Sequence, residues 1–163
     1  MLIFSFDPGT KNMGVCVVFQ KKIIDWTVWL TDGSTKDVIN SLHAYVTYIL
    51  DMIPKDSVIE EVRVVIERQP PINKKSTKIQ TMLECFFFMC TCFNSKVELR
   101  SSCLKWKKLN VPMPKTYSER KKKAVEKCAS LLDSFDEWKQ FFLENNKKDD
   151  LADSFLQIID FIF

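Results

Sequence analysis

The sequence predicts an α/β protein, a mixed five-stranded sheet flanked by helices, and three observations carry that prediction. Three β-rich runs with turn signals between them occupy the stretch from Leu2 to Leu30. Apolar stripes of helical period then alternate with two further β-rich runs. At 163 residues, 46% of them hydrophobic, the chain has material for one core, and we expect a single domain over residues 1–163.

Each element follows from its local pattern. Residues 2–6 are a short apolar run ending on Asp7, which reads as a buried strand, and Pro8-Gly9-Thr10 turns the chain. Residues 14–19 and Lys22–Leu30 are β-rich, suggesting an antiparallel meander that stops at Asp32-Gly33-Ser34. Over residues 36–53, Val38, Leu42, Tyr45, Val46, Ile49 and Ile53 form a helical stripe with His43 beside it at the surface. Val62–Glu67 is a fourth strand that ends in a carboxylate, and Pro70-Pro71 follows it. An apolar helix spans residues 76–93. Its densest part, from Met82 to Phe93, contains Glu84 and falls short of the roughly 20 apolar residues of a membrane span.

Residues 97–101 give a fifth strand, and residues 104–115 a basic, Pro-containing connection. Thr116 and Glu119 fit a capping box at the start of a helix that runs to about Leu132. One or two helical turns span residues 134–143. The last helix, residues 149–162, sets Leu151, Ala152, Phe155, Ile158, Ile159 and Ile162 on one side. Three antiparallel strands followed by alternating helices and strands is the order of the ribonuclease H-like fold.

Composition narrows the chemistry. Net charge is +3, but residues 100–127 hold ten basic and two acidic side chains, so that block is +8 and the remainder −5. A basic block on an otherwise acidic chain points to a polyanion. With one histidine, His-rich zinc sites and multi-histidine active sites are excluded. The six cysteines (Cys16, Cys85, Cys90, Cys92, Cys103, Cys128) include no CxxC pair, and we expect free thiols packed as small core residues in a reducing compartment. Strand-like residues from Leu2 onward leave no room for a cleavable leader, so the protein is expected to act where it is made.

Four carboxylates sit where chemistry would place them. Asp7 and Glu67 end strands, and Asp150 and Asp153, three residues apart, share a face near the start of the last helix. Carboxylates at strand ends project into the crevice beyond the sheet edge. An oxygen-only set suits Mg2+ or Mn2+ rather than zinc, and a divalent cation resolves the mutual repulsion. Blander readings exist for three of them: a turn at Asp7, helix capping at Asp150 as at Asp149, a solvated face at Asp153; a strand-end carboxylate such as Glu67 is rarer as a purely structural feature. They weaken jointly, because one fold can bring all four edges together.

Phe6-Asp7-Pro8-Gly9-Thr10-Lys11-Asn12, Ile66-Glu67-Arg68-Gln69 and Lys148-Asp149-Asp150-Leu151-Ala152-Asp153-Ser154-Phe155 resemble the three motifs of RuvC-type Holliday junction resolvases. The I-E-R-Q form resembles the fungal mitochondrial and poxvirus branches. The D-D-x-A-D-S-F ending, preceded by Tyr117-Ser118-Glu119-Arg120-Lys121-Lys122-Lys123, is most like the poxvirus resolvases. The likeness runs from Leu2 to about Ile162. The mitochondrial branch is usually longer and carries an import sequence, which favours the viral branch and a cytoplasmic site of action.

The resemblance implies a metal-dependent endonuclease that makes paired symmetric nicks in four-way and branched DNA, leaving 5′-phosphate and 3′-hydroxyl ends. Asp7, Glu67, Asp150 and Asp153 would hold two Mg2+ or Mn2+ ions about 4 Å apart, with Asp7 the candidate bridge and Asp149 left as an N-cap. Lys11, Arg68, Lys147 and Lys148 flank the motifs and would touch phosphates near the cut. Lys105, Lys107, Lys108, Arg120, Lys121, Lys122 and Lys123 would grip the duplex arms, and Trp106 would either pack or wedge at the branch point. A four-way junction must be cut twice, so we expect a twofold homodimer through the apolar helix over residues 76–93, with Met82, Phe86 and Phe93 as contacts. Two other readings stay open: a nuclease of the same fold acting on RNA–DNA hybrids or other branched DNA, and a non-catalytic junction-binding module.

Overall fold

The computed structural model describes residues 1–31, 34–90 and 95–163. Strands β1 (Leu2–Asp7), β2 (Asn12–Phe19), β3 (Lys22–Leu30), β4 (Val62–Glu67) and β5 (Ser95–Arg100) form one sheet in the order β3-β2-β1-β4-β5. The first three are antiparallel neighbours, while β4 and β5 add in parallel to β1. Both parallel connections carry a helix, as crossovers require: α1 (Thr35–Met52) before β4 and α2 (Lys74–Met89) before β5. The β2–β3 turn places Gln20 at φ 49° and Lys21 at φ 67°, the paired left-handed residues of a tight hairpin, without glycine at either position.

The two sheet faces have separate cores. Leu2, Phe4 and Phe6 of β1, with Val62, Val64 and Ile66 of β4, pack against Val38, Leu42, Val46 and Ile49 of α1 and Ile79, Leu83 and Phe87 of α2. The alternate residues face the C-terminal helices: α3 (Leu104–Lys108), α4 (Tyr117–Leu131), α5 (Asp136–Glu144), α6 (Lys148–Leu156) and α7 (Ile159–Ile162). There Ile3, Cys16, Val18, Trp26 and Val65 meet Trp106, Ala124, Cys128, Phe142, Leu151 and Phe155.

Several expectations need correction. The single last helix is two, because the backbone turns at Gln157 and Ile158 and α7 begins at Ile159. The connection over residues 104–115 contains α3, which exists because Trp106 is buried in the second core; this ends the wedge reading for Trp106. Helix α2 starts at Lys74 and is not apolar all round: Met82 is buried in its own chain and Phe86 packs against the first core. The apolar side chains that α2 turns outward are Phe88 and Met89, with Cys85; Phe93 and Cys92 lie outside the described residues. Cys16 and Cys128 are buried thiols as expected, but Cys85 and Cys103 are exposed. No helix among the described residues is long and apolar enough to cross a membrane.

Candidate active site

Strand periodicity aims the first two carboxylates. Phe4 and Phe6 take one face of β1, so Asp7 takes the other, and the same alternation carries Glu67 past Val65 on β4. β1 and β4 are parallel neighbours in register from Leu2↔Val62 to Phe6↔Ile66, so Asp7 and Glu67 leave the same sheet end on the side of α6.

Helix α6 brings the second pair. Asp7 pairs across the sheet with Gly14. A Cβ on Gly14 would lie 2.9 Å from the Asp150 carbonyl carbon and 3.4 Å from Ser154 Cβ, so only glycine lets the helix backbone rest there. Buried polar contacts then fix the helix. Ser5 Oγ donates to the Ser154 carbonyl at 2.6 Å, Trp26 Nε1 donates to the Leu151 carbonyl at 3.1 Å, and Gln157 Nε2 donates to the Phe6 carbonyl at 3.3 Å. The result is one cavity of about 380 Å³ lined by Asp7, Glu67, Asp150 and Asp153, together with Arg68, Gln69, Asn73, Lys105, Tyr117, Arg120 and Lys121.

Lys105, expected on a duplex arm, lines the cavity instead. Because Trp106 buries α3, its neighbour Lys105 is carried inward, to 6% exposure. Its Nζ stands 2.5 Å from Asp153 Oδ1 and 3.5 Å from Glu67 Oε2. Burial alone would lower the affinity of this ammonium for its proton, but Asp153 and Glu67 hold it above the ordinary lysine range. Burial, reinforced by the negative charge of Glu67 and Asp153, pushes the Asp7 carboxyl well up. Burial also raises Glu67, against the opposing pull of Lys105, and raises Asp150, with Asp149 adding to it.

These groups fit a hard divalent cation. The donors are carboxylate oxygens only, and their negative charge, gathered in one cavity, is what a cation would relieve. Among the described residues no three such donors stand gathered at ligand spacing. Instead, Lys105 supplies the positive charge between two of them.

The basic residues divide. Arg68, Arg120 and Lys121 line the cavity. Lys11, in the β1–β2 turn, and Lys107 and Lys147 are exposed; Lys148 opens α6 half-buried. Lys122 and Lys123 point away from the cavity into a separate groove with Pro112, Met113, Pro114 and Lys115, so the basic run of α4 does not act as one face. Lys108 is turned inward to Asp160, beside the Phe161 ring. Arg100, from the same +8 block, is buried and donates to the Gln157 carbonyl at 2.6 Å and to Asp160 Oδ1 at 2.7 Å. Asp149 is not an N-cap: it lies within the first turn of α6 and pairs with Lys121. Three exposed lysines were missed, Lys74, Lys75 and Lys78 at the start of α2, next to the cavity residue Asn73. Their signal was a cluster of cations directly after Pro70-Pro71.

No curated protein sequence matches the chain. Among solved structures, the fowlpox virus resolvase in complex with Holliday junction DNA aligns at TM-score 0.60 and 21% identity, covering 98% of this chain and 97% of that one. The yeast mitochondrial Holliday junction resolvase aligns at TM-score 0.61 and 17% identity, over 95% of this chain and 75% of that one. Thermus thermophilus RuvC aligns at TM-score 0.57 and 16% identity, over 96% and 92%. The fold is therefore the ribonuclease H-like fold of RuvC-type resolvases. The family described as Poxvirus A22 protein matches residues 1–163, and the chain belongs to that family.

Proposed function

We propose that the chain is a Holliday junction resolvase, a metal-dependent endonuclease that cuts four-way and other branched DNA in pairs of symmetric nicks. The observation that carries this reading is one cavity in which Asp7, Glu67, Asp150 and Asp153 meet between cationic rims. Asp7, Glu67, Asp150 and Asp153 would hold Mg2+ or Mn2+, two ions per site, which supply Lewis acidity toward the phosphate when bound. Lys105 keeps Glu67 and Asp153 oriented and partly neutralised within the cavity. Arg68 and Arg120 line the walls where a phosphate backbone would lie, and Lys74, Lys75 and Lys78 extend the positive surface beyond Asn73.

A junction has two strands to cut, and the described residues of one chain form one such cavity. We therefore propose a twofold dimer through the outward face of α2, where Phe88 is 85% and Met89 76% exposed. Phe88→Glu should yield a monomer in analytical ultracentrifugation; an unchanged sedimentation coefficient would remove this face from the interface. The free thiols suit a reducing compartment, and we place the activity in the host-cell cytoplasm.

The test compares cleavage of a four-way junction, a flap and an RNA–DNA hybrid by the wild type and Glu67→Gln in Mg2+. The reading expects paired symmetric nicks in the junction from the wild type, and junction binding without nicks from Glu67→Gln. Preference for the hybrid would move the substrate assignment. Equal cutting by Glu67→Gln would remove the carboxylates from the reaction.

A further inference from the structure

Asp149 adjoins a proposed ligand yet is absent from the cavity wall, among the described residues. Successive helical residues point about 100° apart, so Asp149 and Asp150 leave the helix in different directions. The Asp149 carboxylate instead pairs with the Lys121 ammonium. Lys121 projects from the start of α4 and does line the cavity. Its Nζ also stands 5.2 Å from the centroid of the Tyr117 ring, one helical turn earlier and also on the wall. A free lysine keeps side-chain entropy, which it loses when it grips a target. Held between a carboxylate and an aromatic ring, Lys121 has already lost that freedom.

Asp149 is itself half-buried. The Asp149 oxygen is thus committed to an ammonium, while its neighbour Asp150 faces the cavity.

We propose that Asp149 is a positioning residue: through Lys121 it aims a fixed ammonium at one DNA phosphate beside the cut, and it does not hold the metal. The inference rests on the endonuclease reading above. It divides the Asp149-Asp150 doublet into two jobs, one for a lysine and one for a cation.

The test is single-turnover cleavage of a four-way junction across a Mg2+ titration, with wild type, Asp149→Asn, Lys121→Met, the double variant and Asp150→Asn. Each of the first two variants should cut about 10-fold more slowly, and the double variant no more slowly than the worse single one, since both changes remove one device. The half-saturating Mg2+ concentration should stay within about twofold of wild type for Asp149→Asn and rise for Asp150→Asn. A junction series with one neutral methylphosphonate at successive positions should reveal one linkage that slows the wild type to the Asp149→Asn rate and leaves Asp149→Asn unaffected.

A Mg2+ requirement shifted in Asp149→Asn as in Asp150→Asn would make Asp149 a ligand and overturn the proposal. Additive losses, or no such linkage, would overturn it as well by leaving Asp149 only a structural role. If Asp149→Asn melts below the assay temperature, Lys121→Met with the methylphosphonate series carries the same decision. If the wild type cuts no junction, the nuclease reading itself fails; if it cuts and the linkage is missing, only the role of Asp149 fails.

Discussion

Replacing Gly14 by alanine should disable the site from the opposite side of the carboxylates. The chain has three glycines, and two of them, Gly9 and Gly14, flank Asp7 in the fold. An added Cβ at Gly14 would sit 2.9 Å from the Asp150 carbonyl carbon, with the carbonyl oxygen nearer still. Non-bonded carbons settle at about 3.5–4.0 Å, so β2 and α6 must part by about 1 Å. The helix cannot simply slide, because Ser5 holds Ser154 at 2.6 Å and Trp26 holds Leu151 at 3.1 Å. Overpacking of this kind costs about 1–3 kcal/mol, and each kcal/mol is worth about 2–4 °C of melting temperature in a chain of this size. Misplacing reacting groups by 1 Å costs about 100-fold in rate. Differential scanning calorimetry and single-turnover junction cleavage read the two effects, and binding to the junction in Ca2+ should stay near wild type because the cationic rims are untouched. A Gly14→Ala protein that melts and cuts like wild type would refute the argument that this contact sets the position of Asp150.

Three further outcomes follow from particular contacts. Lys105→Met leaves Glu67 and Asp153 without their buried countercharge, so the metal-free protein should lose about 3–5 kcal/mol, and added Mg2+ should raise its melting temperature more than it raises that of wild type; equal responses would show that the ammonium does not stand in for a cation. Lys21→Gly relieves a side chain held at φ 67° in the β2–β3 turn and should stabilise by about 0.5–1 kcal/mol, read by urea denaturation; a loss of stability would deny strain there. Asp25 accepts a hydrogen bond from the Tyr45 hydroxyl and is raised chiefly by burial. Its favourable contribution is therefore complete below the ordinary carboxylate range and lost as pH rises through the elevated folded value. Asp25→Asn should gain stability relative to wild type as pH rises above the ordinary carboxylate range, and a pH-independent difference would exclude the ionisation.

The sheet was legible because strand periodicity is local. Lys22–Leu30 and Val62–Glu67 occupy the predicted residues, and Thr116 with Glu119 forms the expected capping box. The convergence of Asp7, Glu67, Asp150 and Asp153 was legible for a related reason: Asp7 and Glu67 end strands, Asp150 and Asp153 share one face of α6, and the apolar residues specify the register of each element. What holds α6 in place was not legible. Ser5, Trp26 and Gln157 act over sequence separations of 149, 125 and 151 residues, and nothing in their own neighbourhoods marks them as partners of a helix. Lys105 was misread because a lysine in a basic run looks solvated. Only the burial of Trp106, a tertiary fact, turns it inward.

The +8 block shows how far charge counting reaches. Arg100, Lys105 and Lys108 belong to it and are engaged inside the protein with Asp160, Glu98, Asp153 or Glu67. They contribute little to any surface that meets DNA. Lys74, Lys75 and Lys78 on α2, outside the block, are exposed and follow the cavity residue Asn73. Under the proposed function this placement matters more than the net charge. A polyanion must approach an acidic floor, and cations on one side only would hold the backbone to that side. If the α2 lysines and the α4 cations both met the backbone, phosphates held on the two sides would carry the intervening linkage over Asp7 and Glu67. Neutralising the α2 lysines together should then weaken junction binding and lower its salt dependence, and a further loss of cutting at saturating enzyme would show that they also register the linkage over the floor; unchanged binding and salt slope would leave α4 as the sole rim.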